Sequence, residues 1–162
     1  MPRKVIANTT PLIALADIGQ LDLLQKLYGE IMIPQAVLDE IRSEPAKSIV
    51  KEANWVKVCA ISDVNAKRLY RAKLHAGEVE VIILAEEEEA ELVLMDDNAA
   101  KKTAKFMGLK VTGTLGILLR AKREGYIREE KPLIERLLEA EMFISDDVRH
   151  YVLKEAGEEF CS

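Results

Sequence analysis

The feature that most constrains this chain is an alternation. Short β-branched runs, "KVIA", "EIMI", "VKVCA", "LVLM" and "LKV", are separated by stretches of helical character. Such alternation predicts an α/β fold with a mainly parallel sheet and helices on both of its faces. The helical stretches carry matching punctuation, with Pro11 and Pro34 near first turns and Gly19, Gly29, Gly108 and Gly125 near the ends. Past Gly125 the pattern changes, because "KPLIERLLEAEMF" and "SDDVRHYVLKEAG" are both helical and no strand follows them. Ser145 reads as an N-cap, with Asp146 and Asp147 in the dipole-favoured first turn. Residues 129–162 are therefore expected to form a C-terminal helical hairpin on the α/β body.

With 162 residues, 49% of them apolar, the chain is expected to form one domain over 1–162, burying its core without disulfides or metal. Cys59 and Cys161 have no Cys or His at ligand spacing, so they outline neither a zinc site nor a disulfide framework. A net charge of −5 argues against binding nucleic acid through overall basicity, yet leaves room for a local basic strip. The N-terminus lacks a basic-then-apolar leader, and the longest apolar run, within "VEVIILA", is far shorter than a membrane span. No membrane association and a cytoplasmic location are the expectation. The acidic stretch "EEEEAE", Glu86 to Glu91, reads as a solvated helix face.

Acids gather where a parallel sheet forms its ligand crevice, outside the carboxyl ends of the strands. The strand "VIA" delivers Asn8 there, and "LVLM" delivers Asp96 and Asp97. In "PQAVLDEIRS", Val37, Leu38 and Ile41 define a buried stripe, which puts Glu40 at its border and Asp39 almost opposite. In "HAGEVEVIILA", Glu78 shares a face with Val81, Ile82 and Ala85. A carboxylate in a buried stripe needs a reason, and a capping role in the first helical turn is the plain one. A hard divalent ion is the other, since it takes several oxygen ligands from few carboxylates and activates water for phosphodiester cleavage. Of Asp96 and Asp97, the second is favoured as the nearer to such an ion, because successive residues past a strand end diverge. Nucleophilic serine or cysteine chemistry has less support: the histidines are His75 and His150, and neither G-x-S-x-G nor a P-loop is present.

These motifs in this order, "VIANTTPLIALADIGQLDLL", "IMIPQAVLDEI", "AGEVEVIILA" and "LVLMDDNAAKKTAKFMGLKVTGTLGILLRAKREGYI", resemble a PIN domain. The closest likeness is to its uncharacterised prokaryotic branch of the D-T-S-P-L-I and V-T-G-T-L-G type, from Val5 to about Ile127. The resemblance implies a three-layer α/β/α sandwich whose acids bind Mg²⁺ or Mn²⁺ for RNA hydrolysis. Many relatives are toxin ribonucleases paired with a small antitoxin protein. Carried onto this chain, the first acid falls on Asn8 and the hydroxyl that follows it on Thr10, which would donate to the residue 8 side chain. The second acid falls on Glu40, the third on Glu78, where the family at large more often has aspartate, and the last on Asp96 and Asp97.

Asn8 is the serious departure, because an amide oxygen binds a hard cation but brings no negative charge. Its loss of charge weakens metal binding and also eases repulsion among the remaining acids. Two functions follow from it. The first is a metal-dependent ribonuclease of the toxin type, with Asn8, Glu40, Glu78 and Asp97 catalytic. The second is a catalytically weakened or silent fold that binds RNA or another protein. RNA contact is expected at Lys101, Lys102 and Lys105, which share one helix face and are followed farther along by Arg120, Lys122 and Arg123. Aromatic residues are only 5% of the chain, so backbone contact would have to dominate over base stacking. Association into a homodimer is left open.

Overall fold

The structure is a computed structural model that describes residues 4–63 and 75–158. Five strands, β1 (Val5–Ala7), β2 (Ile31–Pro34), β3 (Val56–Cys59), β4 (Leu92–Leu94) and β5 (Val111–Thr112), form one sheet in the order β3-β2-β1-β4-β5. Every pairing is parallel, and β1 is central. Around it run α1 (Thr9–Asp17), α2 (Asp22–Tyr28), α3 (Gln35–Glu40), α4 (Ala46–Glu52) and α5 (Ala76–Glu87). Farther along come α6 (Asn98–Phe106), α7 (Thr114–Arg123), α8 (Lys131–Glu139) and α9 (Asp146–Glu155). The result is an α/β sandwich with a helical C-terminal part.

Val5, Ile6 and Ala7 are wholly buried because helices cover both faces of the central strand, so β1 is apolar throughout rather than alternating. Ile6, Leu12, Leu15, Ile33, Ile82 and Leu94 join the same core, each worth about 1.5–3 kcal/mol of burial. Leu133 and Leu137 of α8 enter that core too. Ile134, Val152 and Leu153 form a second cluster, which joins α8 and α9 to Leu115 of α7.

The expected strands are present, with one shift. "LKV" contributes only Val111 to β5, because Gly108, at a φ of 84°, turns the chain and the Leu109 N–H closes α6 on the Ala104 carbonyl at 3.0 Å. Ser145 caps α9 by accepting the Val148 N–H at 3.3 Å. Cys59 is a half-buried free thiol, and Cys161 lies outside the described residues. Among the described residues no helix is long and apolar enough to cross a membrane.

Crossovers from β1 to β2 and β3 build the sheet one way, and β4 and β5 extend it the other way. The switch lies between β1 and β4, in register at Ala7 and Leu94, and an open α/β sheet forms its crevice at that point. The chain leaves both strands side by side, with the Asn8 N–H on the Leu94 carbonyl at 2.8 Å.

Candidate active site

The crevice at the switch point has a volume of about 510 Å³. Asn8, Thr9 and Thr10 reach it from the end of β1, Glu40 and Arg42 from the end of α3, His75 and Glu78 from the start of α5, and Asp97 from beyond β4. Four sequence-predicted residues, Asn8, Glu40, Glu78 and Asp97, thus meet around one space. Asp96 does not line it: its carboxylate turns to the start of α7, accepting the Thr114 N–H at 2.8 Å and the Thr114 hydroxyl at 2.6 Å.

Each crevice acid is held by a donor of the fold. Glu40 accepts the Thr9 hydroxyl at 2.7 Å on one oxygen and the Gly77 N–H at 2.8 Å on the other. Glu78, buried in the first turn of α5, accepts the His75 N–H at 2.9 Å through Oε1. The capping explanation for Glu78 is therefore real, but it occupies one oxygen of two. Asp97 is the N-cap of α6 and accepts the Ala100 N–H at 2.9 Å through Oδ1, with the same division of labour. Burial pushes the Glu78 carboxyl above its ordinary pKa; the His75 N–H pulls it down, and the neighbouring Asp97 carboxylate raises it further.

Asn8 is buried at 4% exposure, and its side-chain oxygen has no hydrogen-bond partner among the described residues. A buried carbonyl oxygen without a donor costs about 1–3 kcal/mol. Here it lines a crevice that also holds the Glu78 and Asp97 carboxylates, which stand within hydrogen-bonding reach of each other. That donor set fits a hard cation such as Mg²⁺, which takes one or two carboxylates and fills its remaining positions with water. Among the described residues no three His, Cys, Asp or Glu side chains stand close enough to hold a metal on their own, so the amide oxygen matters to the fit.

The residues that sequence reasoning passed over include Thr9, Gly77 and Arg42. The hydroxyl that reaches an acid is that of Thr9, on Glu40, whereas Thr10 lines the crevice one residue farther on. A Cβ on Gly77 would stand 2.6 Å from both Glu40 carboxylate oxygens, so glycine permits that approach. A glycine in the first turn of an otherwise strong helical run was the available signal. None of Lys101, Lys102 and Lys105 lines the crevice. The Lys101 ammonium lies 3.0 Å from where a Gly113 Cβ would stand, and Asp96 Oδ1 lies 2.7 Å from the same point.

No curated protein matches the chain. A family model described as PIN domain matches residues 4–158, which takes in every described element and all the crevice residues. The chain belongs to the PIN domain family, whose activity is in general that of a nuclease using divalent metal ions.

Proposed function

We propose that this chain is a divalent-metal-dependent ribonuclease that hydrolyses RNA phosphodiesters at the β1/β4 crevice. The observation that carries this reading is the unpartnered Asn8 oxygen, buried beside Glu78 and Asp97. Glu78, Asp97 and Asn8 would hold Mg²⁺ or Mn²⁺, with Glu40 at the rim of the same site. A bound ion supplies Lewis-acid stabilisation to the phosphate undergoing attack. The chain's own part is to fix the donors. The His75 and Ala100 N–H groups set the rotamers of Glu78 and Asp97, while Thr9 and Gly77 hold Glu40 from two sides. On this reading RNA is the substrate, and a small antitoxin protein is the partner that toxin-type relatives have.

A second reading, a silent fold that binds RNA or protein, draws on two observations. Residue 8 carries no charge, and both Glu40 oxygens already receive donors from the protein. A cleavage assay on mixed single-stranded RNA with Mg²⁺ or Mn²⁺ separates the two, using this protein, Asn8→Asp and Glu78→Gln. The ribonuclease reading expects cutting by the first, faster cutting by the second and loss in the third. Folded protein that is silent in all three would leave the binding module.

A further inference from the structure

The acidic crevice is not closed on the α3 side. Arg42 lines it and also lines a second hollow of about 350 Å³, which Lys47 and Lys51 of α4 line as well. Arg42 is the residue common to the two hollows. Its Nε donates to the Asp39 carbonyl at 3.3 Å, which fixes the side chain's root and leaves the outer nitrogens without an ion pair among the described residues.

Lys47 and Lys51 are four residues apart on α4, so they project from one face about 6 Å apart along the axis. Ala46 and Val50 form the buried face, about 100° round the helix from the lysines. Neither lysine forms an ion pair among the described residues, whereas Lys4, Arg120, Lys122 and Arg123 each do. Two acids stand nearby and both have donors: Asp39 accepts from the Gln35 amide at 2.9 Å, and Glu44 accepts the Ser48 hydroxyl at 2.8 Å. In a chain of net charge −5, a hollow next to the acidic crevice that is lined by three cations and one acid, Asp39, is a local reversal of sign. A phosphate backbone needs that, because it must be drawn toward a site whose carboxylates repel it.

We propose that a single-stranded RNA leaves the crevice over Arg42 and follows the Lys47–Lys51 face of α4, held there through its phosphates. The proposal rests on the ribonuclease reading for the crevice, and it places the backbone track on the α4 side rather than along Lys101, Lys102 and Lys105. With three phosphate contacts and no aromatic platform lining the second hollow, the track reads charge and not base sequence.

The test is fluorescence anisotropy of a labelled oligouridylate in chelator, where binding is read without cutting, alongside cleavage in Mn²⁺. The variants are Arg42→Gln/Lys47→Gln/Lys51→Gln and Lys102→Gln/Lys105→Gln, each checked for an unchanged melting temperature. The first should bind about tenfold or more weakly, and its slope of log affinity against log salt should shrink by about 2, as three lost contacts to a single strand require. An unchanged slope, a larger loss in the Lys102/Lys105 variant, or no binding by the parent protein would overturn the track. Cleavage that persists with binding unaffected by the triple variant would sink the track and leave the ribonuclease reading intact. Binding that depends on the three cations without cleavage in any divalent ion would do the reverse.

Discussion

Two pairs of acids sit at opposite ends of this molecule's chemistry. In the crevice, Glu78 and Asp97 stand within hydrogen-bonding reach of each other, and the Asn8 oxygen that lines the same space lacks a partner among the described residues. At the foot of α8, Glu130 is wholly buried with neither carboxyl oxygen hydrogen-bonded among the described residues. Glu158 folds back there to accept the Glu130 N–H at 2.7 Å, the Lys131 N–H at 2.8 Å and the Lys122 ammonium at 2.9 Å. Burial, then repulsion from Glu158, push the Glu130 pKa up to about 8, against the pull of Lys122 and Arg123. Burial opposes ionisation of Glu158 as well, but the two N–H donors and Lys122 overcome it and hold its pKa low. The tail pair thus settles its charge with a proton and a lysine. Among the described residues the basic side chains lining the crevice are His75 and Arg42, and the crevice keeps room for a cation from solution. Clustered acids point to a metal only in the second circumstance.

The largest effect that can break this contrast is in the tail. Glu130 ionises near 4.5 when unfolded and near 8 when folded, so its contribution is fully present below pH 4.5 and is lost as pH rises toward 8. In that window stability should fall with a slope approaching about 1.4 kcal/mol per pH unit from this group. Glu130→Gln should remove that slope, stabilise the protein at neutral pH, and leave RNA cleavage unchanged. Chemical denaturation at several pH values reads it; a variant with the parent's slope would show that Glu130 is ionised in the folded protein.

In the crevice the corresponding change acts on chemistry. Glu78→Gln should lower cleavage by about 10²–10³-fold, the scale of removing one preorganised electrostatic group, without lowering the melting temperature in chelator. Thr9→Val leaves every acid in place and removes only the hydroxyl on Glu40, so a loss of roughly 10–100-fold is expected. Parent-like rates would mean that Glu40 needs no orientation. Gly77→Ala should change stability by no more than about 1 kcal/mol, since the gain in helix propensity offsets the lost Glu40 bond. Its activity should still fall, because the new Cβ displaces the Glu40 carboxylate.

These residues also mark how far the sequence could be read. The sheet was legible because β-branched runs between helical stretches have few other uses, and Gly19, Gly29, Gly108 and Gly125 all take the positive φ that helix ends use. The gathering of Asn8, Glu40, Glu78 and Asp97 was legible because strand ends and a buried helical stripe constrain where side chains point. Donors were harder to see. Whether Thr9 or Thr10 reaches an acid depends on how α1 starts relative to α3, a distance no local pattern encodes. Asp96 and Asp97 are neighbours with separate partners, on Thr114 and Ala100, chosen by where α7 and α6 begin. Nothing local in "REEK" marks Glu130 as buried, since Glu158, which accepts its N–H, returns from a segment 28 residues later. Arg42 joined the crevice only once α3 ended at Glu40 and the chain turned beside it.

The most direct measurement is the melting temperature of the parent and Asn8→Asp, each in chelator and in Mn²⁺. If the residue 8 side chain is a cation ligand, the added charge repels Glu78 and Asp97 without metal, and Asn8→Asp should melt lower than the parent in chelator. With Mn²⁺ the ion gains an anionic ligand, so the variant should rise more than the parent does. An equal response to Mn²⁺ in the two proteins would contradict a metal site at the β1/β4 crevice built on residue 8.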